Sequence, residues 1–272
     1  MFNYHKIVRC ALFAGMLIFI LFHVSCSIHN PVNADTYSDQ SHVAMEPFSY
    51  TLPTAGISEF ALKGISGNVQ ITGTEESDSV EIWGKRLVRS GSDEDAELHL
   101  AQLNVHIETY DSEIGVETRQ PKESNGRSYE VEYNVRLPKT LKVIMENVNG
   151  QVVIRNMANE TSAALVNGGL HVETKKGGCQ ASVVNGSIYG EVSLLDEEQC
   201  SLNSVNGNIT LVLPNSSSCR IDASVVNGNI ELTHLDIHSL ATSKTSVSGI
   251  VGDGDARVRI HTVNGNVELI GE

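Results

Sequence analysis

The tripeptide Val-Asn-Gly recurs at Val148-Asn149-Gly150, Val166-Asn167-Gly168, Val184-Asn185-Gly186, Val205-Asn206-Gly207, Val226-Asn227-Gly228 and Val263-Asn264-Gly265, with Val247-Ser248-Gly249 as a degenerate copy. Successive glycines lie 18, 18, 21, 21, 21 and 16 residues apart, and an isolated copy, Ile65-Ser66-Gly67, stands far upstream. A unit this short cannot enclose a core of its own. Repetition at this period therefore means stacking, each unit burying its apolar face on the next.

Alignment on the glycine shows what each unit buries. Two residues after it come Val152, Leu170, Ile188, Ile209, Ile230, Val251 and Val267; four after it come Ile154, Val172, Gly190, Leu211, Leu232, Asp253 and Leu269. That is a strand with period two. Seven and five before the glycine stand Val143/Met145, Thr161/Ala163, Cys179/Ala181, Cys200/Leu202, Ile221/Ala223 and Val258/Ile260, a second alternating strand that runs up to the Val of the motif. The inward parity shifts across Asn-Gly, as at a corner. The pattern predicts an all-β chain: a β-solenoid of 16–21-residue rungs over residues 141–272, with equivalent residues about 4.8 Å apart along the axis. At the corner Asn tolerates a left-handed backbone, Gly relieves crowding, and stacked Asn amides can bond from rung to rung. A repeated turn residue is explained by its turn, so the Asn row is read as structural in preference to a ligand-binding face.

Residues 47–140 lack the repeat. Strands are expected at Asn68 to Ile71 and Val80 to Trp83, and Ser92 followed by Asp93, Glu94 and Asp95 is a helix start ahead of Ala96, Leu100 and Leu103. Further strands follow at Val105 to Tyr110, at Ile114 to Glu117 and from Tyr129 to Leu137, with turns at Asp111-Ser112 and Asn125-Gly126 and a stop at Pro138. This half reads as a β-rich cap section with one short helix that covers the first rung.

The Val-Asn-Gly-x-Ile/Val-x-Leu rungs from Val148 to Leu269, the upstream Ile65-Ser66-Gly67-Asn68-Val69 copy and the helix-then-strand section ending at Leu137-Pro138 resemble one family, the putative adhesin domains of bacterial envelopes. The likeness covers about residues 48–272. It implies a β-solenoid of the envelope, and it brings no catalytic or binding residues to carry over.

Residues 1–25 read as a signal peptide: Lys6 and Arg9 precede an apolar run, Ala11 to Phe22, too short for a comfortable membrane span. His23-Val24-Ser25-Cys26 resembles a lipobox, with His23 where Leu is usual, and would make Cys26 the lipidated N-terminus; ordinary cleavage after Val32-Asn33-Ala34 is the alternative. Residues 26–46, polar and interrupted by Pro31, read as a tether. The whole chain carries 19 Lys+Arg against 33 Asp+Glu, a net charge of −14. Removing Lys6 and Arg9 leaves 17 against 33, or −16. Such an excess of acid argues against nucleic acid as a partner. The membrane partner expected is the one reached through the N-terminal lipid.

No catalytic residue, metal ligand set or cofactor emerges. His234 and His238 flank Asp236 and, four apart on a strand, would share a face, but no third ligand is placed by the sequence. Asp253-Gly254-Asp255 reads as a turn, and the acid runs Asp93-Glu94-Asp95-Glu97 and Asp196-Glu197-Glu198 as a helix N-terminus and a solvated corner. A polysaccharide-active enzyme would need clustered carboxylates and aromatic platforms, and the sole Trp, Trp83, lies outside the rungs. Cys179 and Cys200 fall in one column, where a disulfide and a pair of buried thiols are both open readings; Cys219 falls out of it. The last rung, Val263 to Leu269, ends near the C-terminus and is expected to expose its edge, a place for self-association with Val267 and Leu269 setting the register. The function expected is a non-enzymatic, envelope-anchored interaction module for a cell-surface or matrix ligand. A scaffold that assembles through rung edges is the alternative, and a polysaccharide-active enzyme the second.

Overall fold

The structure, a computed structural model, describes residues 40–75, 77–195 and 197–272. The segment expected to be a signal peptide, Cys26 and the pattern at Ala34 lie outside the described residues. Alternation of inward and outward side chains builds strands, and each Asn-Gly corner passes the chain from one sheet to the other. Strands β8 (Lys142–Asn149), β10 (Thr161–Asn167), β12 (Cys179–Asn185) and β14 (Gln199–Asn206) lie side by side in an eleven-stranded sheet. Their continuations β9 (Val152–Met157), β11 (Leu170–Thr174), β13 (Ile188–Val192) and β15 (Ile209–Leu213) lie side by side in a ten-stranded one. All these neighbours are parallel, and their corner residues are in register, Asn149 on Asn167 on Asn185 on Asn206. The predicted inward columns, among them Val143, Met145, Val152, Ile154, Leu170, Ile188, Leu202 and Ile209, are buried in one continuous apolar core. The Val of the motif mostly faces away from it: Val148 and Val226 are exposed, Val184 alone is buried, and the inward place is the residue before, as at Leu165, Val183 and Val225.

Glycine at the corner is a steric requirement. Gly186 has φ +147°, and a Cβ there would sit 1.8 Å from the carbonyl oxygen of Gly168 in the rung alongside. The close approach lets asparagine side chains bond along the stack. Asn227 Nδ2 donates to Asn264 Oδ1, Asn264 to Asn206, Asn206 to Asn185, Asn185 to Asn167 and Asn167 to Asn149, all at 2.8–2.9 Å, and Asn149 donates to Ser66 Oγ at 3.2 Å. Where the inward residue before the corner is polar, it serves a neighbouring carbonyl: Thr262 Oγ1 donates to Gly207 O at 3.0 Å and Asn147 Nδ2 to Gly67 O at 3.0 Å.

Two departures concern the far end. The last rung, β20 (Ala256–Asn264) with β21 (Val267–Gly271), is not terminal. It is inserted between β14/β15 and the earlier rung formed by β16 (Cys219–Asn227) and β17 (Ile230–Thr233). Val267 and Leu269 are accordingly 0% exposed, so the expectation of an open C-terminal edge fails because strands on both sides cover it. The degenerate copy is not a rung either. Val247-Ser248-Gly249 lies in β19 (Ser246–Val251), antiparallel to β16 and to β18 (His238–Thr242), so the chain folds back there as a hairpin over the end of the eleven-stranded sheet.

The near end repeats the device. β2 (Glu59–Lys63) and β3 (Val69–Thr74), joined through Ile65-Ser66-Gly67, form the rung below β8/β9, and β6 (Glu113–Arg119) and β7 (Ser128–Pro138) form the next one out. Beyond these, β5 (Asn104–Tyr110) ends one sheet, and β4 (Ser79–Ser90) with β1 (His42–Pro53) ends the other, all antiparallel to their neighbours. β1 starts at His42, within the stretch expected to be tether. Helix α1 (Asp93–Leu100) forms where expected, capped by Ser92 Oγ, and packs on β1 and β4. Arg127 grips Asp95 through Nε and Nη2 at 2.6 and 2.7 Å, and these bonds hold the Asp95 carboxyl well below the usual carboxylate range. Among the described residues no helix is long and apolar enough to cross a membrane.

Candidate interaction surface

The two sheets present different outer faces. On the eleven-stranded sheet small outward side chains such as Ser162, Ala164, Ser182 and Ser201 are mixed with Gln180, Asn203, Arg257 and Arg259, Ser224 Oγ meets His261 Nδ1 at 3.0 Å, and Tyr110, 76% exposed, stands alone on the outermost strand β5. The ten-stranded sheet carries rings. Its register places Trp83, Asn134, Gln70, Val153, His171 and Tyr189 in a single row across β4, β7, β3, β9, β11 and β13. Because alternate residues such as Ile82, Val135, Ile71 and Ile154 point into the core, this row points out. Five strand steps separate Trp83 from Tyr189, about 24 Å along the stack.

Trp83 and Tyr189 are each 38% exposed. Each has company. The Arg136 guanidinium stands over the Trp83 ring at 5.6 Å from its centroid and reaches Glu81 Oε2 at 3.3 Å. The His171 and Tyr189 rings lie 4.8 Å apart at 53°. Partial burial, then the charge of Arg155 one strand away, lowers the His171 pKa, so the imidazole is held neutral; burial likewise raises the Tyr189 phenol. Exposed Arg155 continues the row that begins with Glu81 and Arg136, and Glu173 and Glu191 stand further along the sheet beside His171 and Tyr189. The face therefore offers ring surfaces, planar amides and both signs of charge on a rigid backbone.

Sequence reasoning set Trp83 aside as lying outside the rungs. It missed that β4 extends the same sheet, antiparallel, so that Trp83 joins the rung residues in one row. The signal available was the β4 sequence itself, whose inward Val80 and Ile82 alternate with outward Glu81 and Trp83. The other candidates fall elsewhere. The Asn row is a hydrogen-bonded ladder at the corner. His234, with φ 55°, sits in a turn outside any strand while His238 opens β18, so they do not share a strand face. Among the described residues no three His, Cys, Asp or Glu side chains are grouped to hold a metal ion. Asp253-Gly254-Asp255 is a turn whose three N–H groups donate to Ser218 Oγ at 3.0–3.4 Å. Of the second acid run, Glu198 accepts from the backbone of Gly177 and Leu195 at 2.9 and 2.7 Å, and Asp196 lies outside the described residues. Cys179 and Cys200 are register partners and both thiols are free and buried; the contact with Cys179 and burial push the Cys200 thiol up.

The family described as Toastrack DUF4097 matches residues 33–270. No curated protein is significantly similar in sequence. Among solved structures, a putative cell adhesion protein from Clostridium sporogenes is 14% identical over 84% of this chain and 100% of its own, with a TM-score of 0.47. A putative adhesin from Bacteroides fragilis is 10% identical over 83% and 97%, with a TM-score of 0.34. One from Parabacteroides merdae is 14% identical over 84% and 96%, with a TM-score of 0.32.

Proposed function

For a chain that belongs to the Toastrack DUF4097 family, we propose a role as a non-enzymatic interaction module, exported, held at the bacterial envelope by a lipid on Cys26, and binding through the outer face of its ten-stranded sheet. The observation that carries this reading is the row from Trp83 to Tyr189, where two exposed ring sites stand on a backbone fixed by in-register pairing. Rings that a folded chain leaves exposed gain most by covering on contact, and a site on rigid strands pays little ordering entropy when it binds. The signal-like N-terminus and the lipobox-like His23-Val24-Ser25-Cys26 support export and anchoring. Self-assembly through the final rung is not retained, since β15 and β17 flank that strand.

Display of the chain on cells tests the proposal. Cells carrying the wild type should adhere to host-cell or matrix-coated surfaces, Cys26→Ala should release the protein to the medium, and Trp83→Ala with Tyr189→Ala should abolish adhesion while leaving the displayed amount unchanged. Adhesion that survives the double substitution would move the binding surface elsewhere. A Cys26→Ala protein that stays cell-bound would remove the lipid anchor.

A further inference from the structure

The row of side chains between the two ring sites narrows the ligand. A protein partner is bound best over a contiguous apolar centre with its polar groups at the rim. Here the order is reversed: the rings stand at the two ends, and the amides of Asn134 and Gln70 occupy the middle. Only Val153 interrupts the polar stretch. Separated flat rings with amide, guanidinium and carboxylate groups between and beside them match a ligand that alternates apolar faces with hydroxyl edges, which is the chemistry of a pyranose chain. Aromatic rings cover the C–H face of a sugar, while planar amides and Arg155 can donate to ring hydroxyls and Glu173 and Glu191 can accept from them. The charge of the molecule selects among glycans. A net of −14 repels polyanions at a distance, and Arg136, the cation nearest Trp83, is already engaged by Glu81.

Resting on the reading of this face as the interaction surface, we infer that its ligand is a neutral, extended oligosaccharide lying along the stack, with one sugar on Trp83 and another on the His171–Tyr189 pair. The separation of about 24 Å between the ring sites requires a chain of several sugars to span both. Binding is therefore bivalent along one molecule, and a monosaccharide, which reaches a single ring, binds far more weakly.

Trp83 is the only Trp in the chain, so its fluorescence reports this site alone. The full mature protein is titrated with cellohexaose, chitohexaose and mannohexaose as neutral probes, with the corresponding monosaccharides, and with an oligogalacturonate as the acidic probe. At least one neutral hexasaccharide should shift the Trp83 emission and bind at least tenfold more tightly than its monosaccharide and than the oligogalacturonate. Tyr189→Ala should weaken that binding about tenfold and leave the melting temperature unchanged, because Tyr189 is exposed. If none of the neutral hexasaccharides binds, or if the acidic probe binds as well as they do, the neutral-glycan assignment is overturned. Binding that is indifferent to Tyr189→Ala overturns the spanning geometry. The adhesion assay separates the two levels: adhesion lost on substitution of Trp83 and Tyr189, in a protein that ignores every glycan probe, sinks the ligand class and keeps the face.

Discussion

At the scale of single residues, the corner is where the sequence was most legible. Asn-Gly at a fixed place in each repeat predicted a stacked amide row, and the ladder from Asn227 to Asn149 bears that out. The Asn206 side chain donates to Asn185 and accepts from Asn264, both at 2.8 Å. Asn206→Ala removes both bonds at an exposed position and should cost about 1–2 kcal/mol, whereas Thr210→Ser on the outer face should cost little. Gly186→Ala is a harsher test: a Cβ would meet the Gly168 carbonyl, and φ +147° strains any L side chain, so about 2–4 kcal/mol should be lost in denaturant melts. The burial of each side chain next to the corner was less legible. The motif repeats Val, yet the pleat turns that Val outward at Val148 and Val226 and gives the inward place to its predecessor, because the parity change happens at the glycine and not before it.

At the scale of elements, strand order escaped the sequence for a physical reason. Every rung carries the same corner and the same alternation, so β20 pairs as well with β14 as with β16, and nothing in the motif says which neighbour comes first in space. Insertion of the last rung between two earlier ones makes it a wedge that holds β16 and β17 on the stack. Deleting residues 256–272 should leave β16 joined only to β19, so amide exchange should accelerate throughout residues 219–251 while β8 to β13 stay protected, as nearest-neighbour stacking requires. Equal loss of protection along the whole chain would argue for one cooperative unit. The near end has its own signature. Tyr133 on β7 is buried, bonds Thr118 on β6 at 2.7 Å, and burial pushes its phenol up to about 12. An unfolded chain gives up that proton near pH 10, so the folded state holds it more tightly; this stability is complete below about pH 10 and is lost as the pH rises toward 12. Alkaline melts should show the decline in that window, and Tyr133→Phe should flatten it.

At the scale of the molecule, antiparallel strands lie outside the last parallel rung on both sheets at the near end and on the eleven-stranded sheet at the far end, where the ten-stranded sheet ends on β17, parallel to β21. β1 and β4 close one end of the ten-stranded sheet, and the hairpin β18–β19 closes one end of the eleven-stranded sheet. β1 also carries Pro47 and Pro53, which offer no N–H to an incoming strand. The architecture and its aliphatic core were readable from period and parity; the proposed binding face was not, since it is assembled from Trp83 far upstream and from His171 and Tyr189 in the repeats, residues brought into one row only by the sheet. The measurement that tests the account most directly is hydroxyl-radical footprinting of the protein, free and in contact with a host-cell or matrix-coated surface. Protection of Trp83, His171 and Tyr189, with His261 on the opposite sheet still oxidised at its free rate, is the result expected. Protection centred on the eleven-stranded sheet or on either end, with Trp83 and Tyr189 unchanged, would contradict it.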